Sequence, residues 1–175
     1  MSGHGYPGIG FDPVPGDPEQ VAELHRRLAD ACGWLGEAHT LVGRLAADGP
    51  QWQGQAASAF RRHLGEGLAG HLGDARDALG HAADSLQDWQ QGLLARQGRA
   101  RQLDAELLAL RPAGSEPADP AGLEAALRAL EQARQEADRL LAEARELEQD
   151  HAADAARIAA GLRQESARPR RPRGP

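Results

Sequence analysis

Lysine is missing from this chain, and all twenty of its basic side chains are arginines. Aromatic residues make up only 3% of the 175 positions, and alanine and leucine dominate the apolar set. Scarcity of aromatic and β-branched side chains disfavours a sheet and leaves helix as the less costly structure. A single cysteine, Cys32, excludes an internal disulfide and says little about redox compartment. No apolar run approaches the ~20 residues of a membrane-crossing helix. Met1 to Gly16 lacks both a basic leader region and an apolar one, so no ordinary cleaved leader is expected. The protein is therefore expected to be made in the cytoplasm, and to stay there or leave by a route that needs no such leader. The formal net charge is −6, and Arg168, Arg170, Arg171 and Arg173 crowd the last eight residues. The body upstream is more acidic still, which argues against a nucleic-acid footprint.

The stretch Gly49-Pro50-Gln51-Trp52-Gln53-Gly54 breaks two long runs of helical periodicity. Proline and two glycines stop a helix there, and the tryptophan puts a large apolar surface where loops are normally polar. Before it, Asp17-Pro18-Glu19-Gln20 reads as a helix start, with Asp17 as N-cap, Pro18 at the first helical position and Gln20 placed for a capping box. Val21, Leu24, Leu28, Ala31, Leu35, Ala38, Val42 and Leu45 then recur at steps of three and four, a heptad seam along a first helix of roughly 48 Å.

After the break, Ala56, Phe60, Leu64, Leu68, Leu72, Ala75, Leu79, Ala82, Leu86, Trp89, Leu93, Ala100, Leu103, Leu107 and Leu110 continue the stepping in a second helix of about 80 Å. Glycines at 65, 67, 70 and 73 predict a kink or local break near Gly65 to Gly67. Residues 112–119 form a Pro/Gly linker. Asp119-Pro120 repeats the Asp-Pro start, and Leu123, Leu127, Leu130, Ala137, Leu140, Leu141, Ala144, Leu147, Ile158 and Leu162 mark a third helix, roughly 65 Å long, that can fold back along the far half of the second. Residues 1–16 and 166–175 are expected to be disordered.

The fold expected is all-α: an elongated antiparallel hairpin over 17–111, turning at Trp52-Gln53-Gly54, extended by a third helix over 120–165 into a three-helix, coiled-coil-like bundle. An alanine-rich seam is thin for a monomer, so self-association or pairing with another hairpin is expected.

Two helices joined at Trp52-Gln53-Gly54 resemble the WxG superfamily of small helical hairpins exported by type VII (ESX-type) secretion systems. Phe11-Asp12-Pro13-Val14-Pro15-Gly16-Asp17-Pro18 before the first helix, and Trp52-x-Gly54-x-Ala56-Ala57-x-Ala59-Phe60 opening the second, are similar to the type VII secretion-signal domain of actinobacterial secreted proteins and toxins. The resemblance spans about Gly10 to Leu110. It implies export as an already folded unit, recognition by a membrane-bound secretion ATPase, and pairing with a related hairpin. Trp52, Gly54 and Phe60 would then belong to a recognition or packing element at the tip. Read from the residues alone, Trp52 is equally a docking residue and a plug for the open end of the hairpin.

Patterns that suggest chemistry do not close into sites. Gly3, Gly5 and Gly8 spell GxGxxG, but no strand precedes them and Pro13 and Pro15 follow where a nucleotide-binding helix would run. His25, Cys32 and His39 share one helix face, yet seven-residue spacing separates neighbours by about 10 Å, whereas zinc bonds are near 2 Å. His63, His71, His81 and His151 include no HExxH, and the serines lack a nucleophile elbow. Trp34 and Trp89 fall within helical patterns as packing or flank residues. The expectation is a non-enzymatic secretion substrate or secretion-signal module with no cofactor or metal. The alternatives are an intracellular coiled-coil scaffold or adaptor and a chaperone-like partner of a type VII toxin.

Overall fold

The structure, a computed structural model, describes residues 5–48, 54–111 and 120–167. The fold is all-α, and there is no strand among the described residues. Helix α1 spans Pro18–Asp48, α2 Gln55–Arg62, α3 Ala69–Ala109 and α4 Pro120–Ala167, with a π-helical stretch, His63–Leu68, between α2 and α3. Helices α1 and α4 both begin on a proline, whose missing N–H is harmless in the first turn and whose fixed φ already suits a helix. None of these helices is long and apolar enough to cross a membrane. The expected turn residues Gly49 to Gln53, the linker 112–119 and the tail from 168 onward lie outside the described residues.

At Gly65 to Gly67 the helix does not break. The chain stays helical from 55 to 109 and widens into the π-helical turn instead. A π turn absorbs an extra residue without releasing the ladder of backbone hydrogen bonds.

The chain divides into two compact units: Met1–Asp17 with Gln91–Ala156, and Pro18–Gln90 with Arg157–Pro175. In the second of these, α1 and the first part of α3 run antiparallel. The Cys32 thiol donates to the Arg76 carbonyl at 3.4 Å. Gly80 lies against Cys32, Gly73 against His39 and Gly65 against Ala46, so partners descend along α3 into the π-helical stretch as they ascend along α1. The buried apolar side chains here are Ala57, Ala69, Ala83 and Leu86, a thin core made mostly of methyl groups. Two members of the expected α1 seam, Leu24 and Leu45, are exposed.

The other unit has the larger core: Leu93, Ala100, Leu103 and Leu107 of α3 with Leu140 and Ala144 of α4. These helices are antiparallel, with Arg99 bonded to Glu143 at 2.6 Å and Arg96 paired with Asp154. The N-terminal segment belongs to this core. Residues 1–16 were expected to be disordered, but Tyr6, Ile9, Pro13 and Val14 are buried in it. Side chains of α3 and α4 bind the segment's own backbone groups, which composition alone does not reveal. The third apolar stripe is buried at Leu140 and Ala144 and exposed at Leu123, Leu127 and Leu130.

Candidate functional site

Of the residues singled out for recognition, Gly54 lies at the N-cap of α2 and Phe60 within it. Gly54 caps that helix with φ 120 and ψ 172, a conformation reserved for glycine, and its carbonyl accepts the Ser58 N–H at 3.1 Å. Trp52 lies outside the described residues. Phe60 stands 54% exposed on the same helix that buries Ala57. In the short amphipathic stretch Gln55–Arg62, Ala57 is buried, Arg61 is half-buried, and Phe60 and Arg62 are exposed. Neither Arg61 nor Arg62 forms an ion pair among the described residues. The π-helical turn follows at once, and its His63 N–H is shared between the Ala59 and Phe60 carbonyls.

The start of α2 thus carries one exposed aromatic side chain and two guanidinium groups that make no ion pair among the described residues. Among the described residues no group of three His, Cys, Asp or Glu side chains converges to hold a metal ion. His25, Cys32 and His39 are not brought together, because Cys32 and His39 face α3 through Gly80 and Gly73. Two resolved titration shifts belong to local surface pairs. Glu23 is held below the usual carboxylate range by its hydrogen bond to Arg27 and the charge of Arg26, and Arg76 is raised by Asp77.

A second constellation was missed by the sequence reading. Asp104 Oδ1 accepts the backbone N–H groups of Gly8 and Ile9 at 2.7 and 3.1 Å. Gln97 Nε2 donates to the Gly16 carbonyl at 2.9 Å and the Val14 carbonyl at 3.4 Å. His151 Nε2 bonds the Pro15 carbonyl at 2.9 Å, and Arg111 reaches the Pro7 carbonyl at 3.3 Å. These groups fasten the N-terminal segment to α3 and α4 as a strap. One signal could have found them: Gln97 and Asp104 interrupt the register Leu93, Ala100, Leu107 with polar side chains. A polar group at a buried seam position needs a partner. Gly8, the last glycine of the GxGxxG match, already donates its N–H to an acid of the chain itself, Asp104.

No protein-family model, no curated protein and no solved structure matches the chain.

Proposed function

We propose that the chain is a non-enzymatic type VII secretion substrate or secretion-signal module, exported as a folded helical unit, with Trp52, Gly54 and Phe60 at the end that a membrane-bound secretion ATPase recognises. The supporting observation is the interruption between α1 and α2. Helix α1 ends at Asp48, Gly54 takes a glycine-only conformation, and α2 presents Phe60 to solvent six residues later. A reversal that leaves an aromatic side chain outside the core suits a tip built for contact. The antiparallel course of α1 and α3 supplies the two rods that such a tip joins.

The test is export from the native host. The protein is expected in culture supernatant when the secretion ATPase is active and inside the cell when the ATPase is deleted. Trp52→Ala is expected to be folded, judged by circular dichroism, and retained. Retention of the wild-type chain whatever the state of the ATPase would reject export and leave the intracellular scaffold in its place.

A further inference from the structure

We infer that the face of α3 and α4 beneath residues 5–16 is a peptide-binding groove for an extended, glycine- and proline-punctuated segment of another polypeptide, and that the chain's own N-terminal strap closes it as an autoinhibitory occupant. The inference goes beyond the export reading and rests on none of the residues at the start of α2.

The strap runs antiparallel to α3. Arg111 reaches Pro7, Asp104 holds Gly8 and Ile9, and Gln97 holds Val14 and Gly16. Gly8 lies against Leu107 and Gly16 against Leu93, two positions about 21 Å apart along the helix. The stretch from Gly8 to Gly16 crosses that span only with its backbone largely extended, since a helix of the same length would cover about 12 Å. What α3 and α4 grip is main chain. The Asp104 carboxylate accepts two N–H groups, and Gln97 and His151 take the carbonyls of Val14, Pro15 and Gly16. Asp104 and Gln97 are each 9% exposed and His151 5%, so these polar groups depend on a peptide backbone lying over them. Hydrogen bonds to main chain give such a groove affinity for any segment of the right shape, and side-chain pockets give it choice.

The side chains that enter the groove define the ligand. Tyr6, Ile9, Pro13 and Val14 are buried, while Pro7 and Pro15 beside them are exposed. Position 8 must be glycine, because a Cβ there would stand 2.5 Å from the Asp104 carbonyl oxygen. Gly10 turns the chain with φ 87, and its N–H returns to the Tyr6 carbonyl at 2.7 Å. The ligand class is therefore a peptide with apolar residues on both sides of a glycine, a second glycine at the turn and a proline-apolar pair further on. It needs no charge of its own, since Asp104 is met by backbone N–H groups. A peptide in trans binds only those molecules whose strap has lifted, and its apparent affinity falls by that fraction. Joined to α1 through the exposed Gly16 and Asp17, the strap competes at the roughly millimolar effective concentration of a short tether.

The probe is a fluorescent synthetic peptide with the sequence of residues 5–17, titrated into the full chain. Gly8→Ala lifts the strap and leaves the side chains of the groove intact, so it is expected to bind the peptide roughly tenfold or more tightly than wild type does. Asp104→Ala in that background, or Gly8→Ala in the peptide, is expected to weaken binding by roughly tenfold or more. Val14→Asp sets a carboxylate at a position 1% exposed and lifts the strap by a second route. Circular dichroism shows which variants keep their helices. In isotope-labelled wild type, peptide above roughly millimolar concentration is expected to move the Ile9 amide signal as the strap is displaced. Folded, lifted variants that do not bind, equal affinity in wild type and lifted variants, or indifference to Asp104→Ala would each overturn the groove. Where neither variant folds, an unmoved Ile9 signal in wild type overturns it. Wild-type dimers that Gly8→Ala dissolves would place the strap of a second copy in the groove, and so overturn a site for another polypeptide.

Discussion

Asp104 and Gly8 meet so closely that only glycine fits. The Asp104 carboxylate takes the Gly8 N–H at 2.7 Å, and a Cβ at position 8 would stand 2.5 Å from the Asp104 carbonyl oxygen. The same Cβ would be 3.0 Å from Oδ1 and 3.1 Å from the Leu107 Cβ. Backbone cannot swing aside as a flexible side chain can. Gly8→Ala is therefore expected to lift the strap and destabilise the fold by about 1–3 kcal/mol, the usual cost of overpacking. Urea denaturation with an unchanged slope would show this, and an unshifted midpoint would count against the docked strap.

Asp104→Ala removes the acceptor for two backbone N–H groups whose carboxylate partner is buried. Donors left without a partner cost about 1–3 kcal/mol each. Hydrogen exchange at Gly8 and Ile9 is expected to accelerate selectively, while amides in α1 keep their protection.

Tyr6 ties the strap to pH. Burial is the main reason its phenol titrates above the ordinary value, and the charges of Asp12 and Asp104 push the same way while Arg101 opposes them. A group with a raised folded pKa adds stability that is complete below its unfolded pKa and lost as pH climbs through the folded one. The strap is thus expected to loosen only above about pH 10, the ordinary tyrosine range. Tyr6→Phe is expected to flatten that alkaline loss, followed by stability measured across the pH series. An unchanged alkaline profile would assign the loss elsewhere.

Gly54 carries positive φ where other residues are strained, so Gly54→Ala is expected to cost about 1–3 kcal/mol at the start of α2. Thermal unfolding reads this loss directly. Equal stability of the two proteins would mean that the turn relaxes freely.

Leucines of the third stripe separate periodicity from burial. Leu140→Ala, at a buried position, is expected to cost about 2–5 kcal/mol. Leu127→Ala, 57% exposed, is expected to fall within about 0.5 kcal/mol of wild type. Comparable losses at both would place Leu127 in a core that the fold does not show.

Helix boundaries were the most legible feature of the chain. Pro18 and Pro120 open α1 and α4, because proline's constraint acts on its own backbone and needs no distant partner. Near Gly65 the glycines were visible, but the outcome was not, since break, kink and π turn differ in how the next helix packs. Gly54 and Phe60, expected at the tip from the family resemblance, could be located beside a helix start from the sequence. The exposure of Leu45 could not be read there, because the seam had assigned it to the inside.

Sequence by itself determined an all-helical chain with its punctuation, since propensity, proline and glycine act within a turn or two of where they stand. Tertiary structure decided which stretches of each apolar stripe are buried, because a face is covered only where another element reaches it. It also decided the fate of the N-terminal segment, whose anchors Gln97 and His151 lie 81 and 136 residues from the carbonyls they hold. Contacts that distant leave no local trace beyond a polar residue standing in an apolar register.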